Sequence, residues 1–464
     1  MRDASAVGRL ARTRTIPPAA ILASGWLVML LYAFPGYMSF DSIAQLAQSR
    51  SNELLDNHPP AMAVLWQYVE VFIEGPLGML LLQSSALLAG VYLLLATRTT
   101  KRRAAVLAVA VMWFPPVLNT MSVIWKDSQM AGYLMLGTAL LLSSRRGLRL
   151  GGLALIMLAT AMRYNALAMT FPIVVLLFSW NPLHRWWKRY AISIAAWFAL
   201  TIGSSMGSSA LADHHAYMWH GSLALLDLTG TLRFSEPMTD AQLGPTLAGT
   251  PLKVPDHFQD HAKAHLDPRA SPTDDLWNAT AALFDRSVTA DPKMRLAITR
   301  AWKTIVTAHP LAYLRYRLVV FGQLVQLDGT ALGSPIYCWF TDVQQPFESG
   351  ARIGHLASPS YFQGVAQQVM IWSGETWLFH VGLYLILAVL LLPMCWGDRE
   401  ALAMVASGLS GQLGLFVISP TVDVRYSFWL MLATVAGAIL IALRRIRSRG
   451  SSRIPQSTLL PDTQ

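Results

Sequence analysis

The sequence predicts an all-α polytopic membrane protein with about ten transmembrane helices. Apolar residues make up 54% of the 464 residues, and charged residues make up only 13%. Soluble domains are roughly 25% charged, so the charged fraction is unusually low for a soluble protein. The apolar residues also form runs near the roughly 20 residues that a spanning helix needs. Short basic clusters separate these runs, as in the cytoplasmic loops of membrane proteins.

The apolar runs give the candidate spans in chain order. They lie roughly at 17–35, 75–97, 104–121, 128–144, 150–163, 165–180, 191–211, 371–396, 401–420 and 427–443. The run over 150–180 is too long for one span, and Arg163-Tyr164-Asn165 interrupts it, so we divide it into two spans joined by a polar turn. The first span lacks a small-residue cleavage site, which predicts a retained helix and not a cleaved signal peptide.

The basic residues exclude one class of partner and predict an orientation. The net charge is +10, but the basic residues form short clusters between apolar runs, not a continuous groove for nucleic acid. The clusters are Arg9/Arg12/Arg14, Lys101/Arg102/Arg103, Arg145/Arg146/Arg149, Arg185/Lys188/Arg189 and Arg444/Arg445/Arg447/Arg449. If the N-terminus is inside, nearly all of them fall on the cytoplasmic side. We therefore expect both termini in the cytoplasm and no nucleic-acid partner.

The same rule divides the chain into four parts. They are an N-terminal transmembrane module with the first external loop (1–211), an external, mostly helical segment (212–370), C-terminal transmembrane helices (371–443) and a disordered cytoplasmic tail (444–464). Within the external segment, the apolar run 311–326 is expected to be an interfacial or re-entrant helix. If it crossed the membrane, the last basic cluster would lie outside, which is unfavourable.

The first external loop, about 36–74, contains one amphipathic stretch. Ala61, Leu65, Tyr68 and Phe72 recur at helical spacing within it. This pattern predicts a helix that lies in the plane of the membrane interface.

Ionisable residues at the ends of spans are the candidate functional residues, because charge is costly there. With neighbouring polar and aromatic residues, they are Asp41, Asp56, His58, Lys126, Asp127, Arg163, Tyr164, Asp423, Arg425 and Tyr426. In the predicted topology all of them face the same outer side, whereas residues that only anchor helices would be divided between the two faces.

This set has a chemical interpretation. Two carboxylates can divide the work, one deprotonating an acceptor and the other orienting it or holding a metal. Several fixed cations suit a lipid-linked phosphate, since arginine makes planar bidentate contacts and lysine supplies a point charge. Cations aimed at a phosphate leaving group also lower the barrier for its departure.

Each candidate has a purely structural alternative. Asp41 could cap a helix, and His58 could shape a turn with Pro59 and Pro60. Lys126 and Asp127 could form an interfacial ion pair, Arg163 could be a membrane anchor, and Arg425 could pair with Asp423 alone.

The motifs resemble those of GT-C type membrane glycosyltransferases, in particular bacterial members related to the protein O-mannosyltransferases and the lipid A aminoarabinose transferase. The residues that carry the resemblance are Phe40-Asp41-Ser42, His58-Pro59-Pro60, Lys126-Asp127 and Arg163-Tyr164-Asn165. Their order and spacing match over about 1–210, and more loosely at Asp423–Tyr426. The external segment carries no part of the resemblance.

The resemblance implies a GT-C like fold in the bacterial inner membrane and chemistry on its periplasmic face. The donor would be a polyprenyl-phosphate sugar, the acceptor a lipid, glycan or protein, and the anomeric carbon would be inverted. Asp41 stands where the family has its general base, and Asp127 where some members have a second acidic residue. Lys126, Arg163 and Arg425 would contact phosphate, while Asp56, His58, Tyr164 and Tyr426 would complete the substrate site.

The need for a metal stays open at this stage. Many family members have an acidic pair at the first site, whereas here Asp41 is followed by Ser42. A divalent ion is therefore possible but not implied. His257, His261 and His265 would share one face of any helix formed there, and His214, His215 and His220 lie elsewhere in the same segment. We expect a solvated histidine face there and not a zinc site.

The two cysteines, Cys338 and Cys395, form no disulfide framework. We expect them to lie too far apart to bond.

Two other function classes compete with the transferase. A transporter or flippase of lipid-linked sugars would place its charges near the middle of the membrane, between broken helices. A surface-polysaccharide polymerase or ligase would carry its decisive charges in long external loops. The clustering of charges just after spans, on one predicted face, favours the transferase.

Overall fold

The computed structural model describes residues 16–56, 58–181, 183–252, 291–326, 336–337, 359–419 and 422–451. These residues are helical and contain no β-sheet, which confirms the all-α class for the described part of the chain. The helices are α1 (Pro18–Ala33), α2 (Phe40–Ser51), α3 (Ala61–Glu70), α4 (Leu77–Ala96), α5 (Lys101–Met112), α6 (Pro115–Ser122), α7 (Lys126–Leu141), α8 (Arg146–Met162), α9 (Ala166–Leu177), α10 (Trp186–Leu211), α11 (Ala224–Phe234), α12 (Asp240–Leu247), α13 (Pro292–Ala308), α14 (Pro310–Leu324), α15 (Tyr361–Gly374), α16 (Val381–Leu391), α17 (Arg399–Ile418) and α18 (Phe428–Ser451).

Several of these helices could cross a membrane. Among the described residues, α4, α10, α17 and the helix that includes α18 are long and apolar enough, and the bent pair α5 and α6 would make a fifth span. The helices α1, α9 and α16 are apolar but shorter. A multi-pass protein is therefore supported, while the count of about ten spans stays a prediction.

The predicted span 104–121 is two helices. The axes of α5 and α6 differ by 69° across the break at Trp113 and Phe114. Pro115 and Pro116 explain the break, because proline removes a backbone donor and restricts the residue before it.

The prediction of one helix over 371–396 is wrong. Helix α15 ends at Gly374, and α16 covers only Val381–Leu391, with short 3₁₀ turns on both sides. Eleven residues extend about 16 Å, roughly half the thickness of the hydrocarbon core. The hydropathy of the run hides the turn at 375–380, where Thr376 accepts a hydrogen bond from the backbone N–H of Leu378.

The predicted disordered tail is also wrong over 444–451, because α18 continues to Ser451. Arginines dominate this last part, and cations are favourable near the negative end of the helix dipole. Helix-breaking residues come only at Gly450 and beyond.

Helix α7 lies at the centre of the N-terminal module, between α4 and α8. Small residues permit this close packing. A Cβ atom on Gly90 of α4 would lie 2.5 Å from the backbone nitrogen of Leu136, and one on Gly152 of α8 would lie 2.8 Å from the carbonyl of Gly137. Such contacts between backbones are typical of helix packing in membranes. They fix the position of Lys126 and Asp127 at the start of α7.

The described part of the segment 212–370 has its own apolar core. Helices α11, α12 and α13 pack around buried leucine and isoleucine side chains. A buried ion pair joins this core to α14, where Arg317 Nη2 lies 2.5 Å from Asp227 Oδ1. Arg317 also donates to the carbonyl of Ser419 just after α17, at 2.9 Å. Arg317 therefore joins this part of the segment 212–370 to the end of α17.

The predicted amphipathic helix of the first loop is α3. Met62, Ala63 and Trp66 are buried against the protein, whereas Tyr68 and Phe72 are largely exposed. The predicted stripe is divided, because Ala61 is buried and Phe72 lies just beyond the end of α3. The helix itself is confirmed, and its position in the membrane interface stays a prediction.

Candidate functional site

Two loops at one end of the bundle are joined by backbone and side-chain hydrogen bonds. Tyr37 pairs with Val123 in an isolated parallel bridge. The Ser42 hydroxyl donates to the carbonyl of Ile124 at 2.6 Å, and the Trp125 indole donates to the Ser39 hydroxyl at 2.6 Å. The start of α2 is thereby held against the start of α7, which places Asp41 next to Lys126.

The Asp41 carboxylate lies among three basic side chains. Its Oδ2 atom is 2.9 Å from Arg425 Nη1 and 3.9 Å from Lys126 Nζ. Its Oδ1 atom is 3.6 Å from His58 Nε2, a contact longer than a hydrogen bond. We call Asp41, His58, Lys126 and Arg425 the Asp41 cluster.

The cluster keeps Asp41 ionised. Burial alone raises the pKa of this carboxyl, but the Arg425 guanidinium and the nearby His58 and Lys126 hold the pKa well below its ordinary value. Asp41 is nevertheless accessible, since 25% of its side chain is exposed. It is a charged, reachable carboxylate at the surface of the cluster.

His58 links the two loops through Lys126. Lys126 Nζ lies 2.5 Å from His58 Nδ1. When Lys126 is protonated, its ammonium group has no lone pair, so Nδ1 accepts and the ring proton is on Nε2, which faces Asp41. Burial and the nearby Lys126 lower the pKa of His58, against the opposing effect of Asp41. The ring is therefore neutral at neutral pH.

Arg425 is held from the opposite side. It lies in a 3₁₀ turn, and its Nε atom is 2.7 Å from Asp423 Oδ2. The Tyr337 hydroxyl donates to Asp423 at 2.7 Å, and the guanidinium stacks 4.9 Å from the centre of the Trp125 ring. Arg425 therefore contacts two carboxylates, which excludes the alternative that it pairs with Asp423 alone.

Asp127 and Arg163 form a second ion pair behind the cluster. The Asp127 side chain is only 2% exposed, against 25% for Asp41. The Arg163 guanidinium lies 4.8 Å above the ring of Tyr426, which follows Arg425. Asp127 therefore pairs with Arg163, and the alternative of a Lys126–Asp127 ion pair does not describe its contacts.

Asp56 and Tyr164 contact residues outside the Asp41 cluster. The Asp56 carboxylate is 2.8 Å from His215 Nδ1 and accepts from the backbone N–H of Ala216 at 2.5 Å. The Tyr164 hydroxyl donates to the carbonyl of Asp56 at 3.0 Å. These contacts join the first loop to the start of the external segment, so the proposed substrate role of both residues has no support in their contacts.

The helix-capping alternative for Asp41 is also excluded. Ser39 is the N-cap of α2, and with Ser42 it forms a capping box. Asp41 is the second residue of α2, and its carboxylate is directed to Arg425. Its charge at the helix N-terminus is favourable, but it caps no backbone N–H.

A metal does not fit the Asp41 cluster. The described residues contain no group of three or more histidine, cysteine, aspartate or glutamate side chains that could hold one. A divalent ion on Asp41 would also stand beside Lys126 and Arg425, whose charges repel it. The histidines at 257, 261 and 265 and Cys338 lie outside the described residues, so the predictions on them stay open.

Two contributors to the cluster were missed by reasoning from the sequence. Trp125 stacks on Arg425 and anchors Ser39, and its place directly before Lys126 was the available signal. Tyr337 orients Asp423, but its position in the long external segment gave no signal at all.

Comparison with protein-family models finds no match to this chain. Neither curated proteins nor solved structures match it.

The lowered pKa of His58 predicts a pH-dependent stability. The folded protein protonates this ring less readily than the unfolded chain, whose histidine has a pKa of about 6.5. Keeping His58 neutral therefore costs no folding free energy above about pH 6.5. As the pH falls below that value, the unfolded chain binds the proton more readily, and the free energy of unfolding decreases. We expect the melting temperature of the wild type to fall more steeply between pH 7 and 5 than that of His58→Gln. His309→Gln, outside the cluster, should follow the wild type, and equal slopes for wild type and His58→Gln would refute the prediction.

Proposed function

We propose that this chain is a membrane glycosyltransferase. It moves a sugar from a polyprenyl-phosphate donor to a lipid, polysaccharide or protein acceptor on the outer face of the bacterial inner membrane. The observation that carries the proposal is an accessible, ionised Asp41 in direct contact with Arg425 and close to Lys126. A base and the cations for a phosphate leaving group are thus within one sugar ring of each other.

The balance of charge supports transfer from a phosphate. Among the described residues of the site, three carboxylates (Asp41, Asp127, Asp423) face two arginines (Arg163, Arg425) and Lys126, while His58 is neutral. Burial lowers the pKa of Lys126 to about 7, so its charge is partial at neutral pH and is favoured by a bound phosphate. The site is therefore close to neutral before the reaction. A phosphodiester donor adds one negative charge, which it can share with Lys126 and Arg425.

The proposed reaction keeps this balance. The O–H bond of the acceptor breaks and its proton goes to Asp41, while the acceptor oxygen bonds to the anomeric carbon. The bond from that carbon to the phosphate oxygen breaks, and its electron pair leaves with the polyprenyl phosphate, which gains a second negative charge. Asp41 loses its charge in the same step, so Arg425 and Lys126 are released to stabilise the leaving phosphate.

This exchange explains how a carboxyl with a lowered pKa can act as a base. A weak base is a poor proton acceptor when its pKa is far below the working pH. In the resting site the contact with Arg425 keeps the pKa of Asp41 low. As the leaving phosphate draws Arg425 and Lys126 to itself, that effect weakens and Asp41 becomes more basic when the proton must move.

The surroundings of the cluster suit a lipid donor. His58 is followed by two prolines and then by α3. Exposed Tyr68 on α3, with Val71 and Phe72 just after it, suits the membrane interface. The cluster would then lie at the level of the phosphate groups, while the polyprenyl chain stays in the hydrocarbon. A buried Asp127 acts in this scheme as a positioning residue for Arg163.

Release of the lipid phosphate tests the proposal. Purified full-length protein in detergent is incubated with a panel of polyprenyl-phosphate hexoses and pentoses labelled in the sugar, and with an acceptor extract from membranes. The transferase should release polyprenyl phosphate and transfer label to the acceptor, and Asp41→Asn should not. Label that crosses vesicle membranes with its lipid still attached, without any release, would instead establish a flippase.

A further inference from the structure

A basic cavity lies at the opposite end of α7 from the Asp41 cluster. It has a volume of about 350 Å³ and is lined by Arg149, Arg189 and Arg399, together with leucines at the ends of α7 and α9. Helix α7 begins at Lys126 and has 16 residues, so its two ends are about 24 Å apart. The cavity is therefore separate from the proposed transferase site.

The most buried of these arginines has only neutral partners among the described residues. Arg149 is 5% exposed. Its guanidinium donates to the carbonyls of Ser143 and Ser144 at 3.0 and 3.1 Å, and to the carbonyl of Trp180 at 3.1 Å. Carbonyl dipoles satisfy hydrogen bonds but leave the charge itself uncompensated, and a buried uncompensated charge is costly.

The other two arginines add to this positive charge. Arg189 donates to the carbonyl of Leu176, and Arg399 lies close enough to repel it. Within the described ranges no carboxylate pairs with Arg149, Arg189 or Arg399. The acidic residue at the cavity, Glu400, pairs with Arg98. The cavity therefore has a net positive charge that an anion would complete.

We infer that this cavity binds the phosphate group of an anionic ligand. Arginine is the side chain best suited to phosphate, because its planar donors match the phosphate oxygens. The volume is about ten times that of one water molecule, which leaves room for a headgroup larger than phosphate. The leucines beside the arginines suit the glycerol and acyl carbons of a phospholipid, so the lipid headgroup is the favoured source and free phosphate is the alternative source.

Lipid-dependent stability tests the inference in the full-length protein. The melting temperature in detergent is measured against increasing phosphatidylglycerol, phosphatidylcholine or inorganic phosphate. A ligand that binds only the folded protein raises the melting temperature as its concentration exceeds the dissociation constant. We expect phosphatidylglycerol to stabilise the wild type at concentrations where phosphatidylcholine does not. Stabilisation by inorganic phosphate as well would identify free phosphate as a sufficient ligand of the same site.

The variant Arg399→Gln makes the test specific. Arg399 is exposed, so its replacement removes a charge from the cavity without disturbing the packed helices. One charge-assisted hydrogen bond corresponds to roughly a tenfold change in affinity or more, so the half-saturating concentration should rise about tenfold. Arg447→Gln removes an exposed arginine on α18 that does not line the cavity and should leave that concentration unchanged.

Three results would overturn the inference. One is equal stabilisation of the wild type by phosphatidylglycerol and phosphatidylcholine, with no effect of phosphate. Another is an equal rise of the half-saturating concentration in Arg399→Gln and Arg447→Gln, which would indicate general attraction to a basic surface. The double variant Arg189→Gln/Arg399→Gln should bind more weakly than Arg399→Gln, and unchanged binding in both variants would also count against the site.

Discussion

Asp41→Asn is expected to lower the rate of sugar transfer by roughly 10²–10⁴-fold, the usual contribution of a positioned general base. Asparagine keeps the size of the side chain but cannot accept the acceptor's proton. It also leaves Arg425 paired with Asp423, so Arg425 keeps one carboxylate partner in the variant. The helix start should be unaffected, because Ser39 and Ser42 supply the cap. The measurement is initial release of polyprenyl phosphate at saturating donor, with the melting temperature measured in parallel.

A matched control separates loss of the base from loss of charge in the loop. Glu53→Gln removes an exposed carboxylate from the same external loop and should keep wild-type turnover. Asp41→Glu keeps the carboxylate but moves it, so part of the activity should return. Turnover of Asp41→Asn within a few-fold of the wild type, with donor binding unchanged, would remove Asp41 from the role of base.

The convergence of charged residues at one end of the bundle could be predicted from the sequence. Successive spans alternate in direction, so every second loop lies at the same end of the bundle. Asp41, Lys126, Arg163 and Arg425 all belong to loops at one such end, and they are therefore expected to lie together. Their contacts confirm the proximity, with 3.9 Å between Asp41 and Lys126. What each of these groups does in a reaction stays a proposal.

The sequence could not predict which charged residue pairs with which. Asp56 is only two residues from His58, yet it is held by His215 and Ala216 because the chain after α10 returns to the first loop. That return depends on tertiary structure and leaves no periodic signal. The breaks inside the apolar runs were missed for a related reason, since hydropathy averages over Pro115 and over the turn after Gly374.

Asp127 could act as a catalytic residue or as the ion-pair partner of Arg163. The stability of Arg163 variants tests whether the two residues form a buried ion pair. Arg163→Met removes the guanidinium and leaves the Asp127 carboxylate, 2% exposed, without its partner. Breaking a buried ion pair in this way costs about 3–5 kcal/mol, because the remaining charge stays desolvated. We therefore expect a large fall in melting temperature for Arg163→Met. A fall no larger than that of an exposed arginine such as Arg447→Met would contradict a buried pair.

The double variant Asp127→Asn/Arg163→Met tests whether Asp127 also has a catalytic role. Removing both charges relieves the unpaired carboxylate, so the double variant should be more stable than Arg163→Met alone, and residues in contact are expected to show such coupling. Activity then discriminates between the roles. If Asp127 acts only by holding Arg163, adding Asp127→Asn to Arg163→Met should cost no further activity, because the group that it positions is already absent. An independent catalytic carboxylate would instead lower the rate by a further factor on the order of 10² or more in the double variant. The position of Asp127, behind the accessible Asp41 and in contact with Arg163, leads us to expect no further loss.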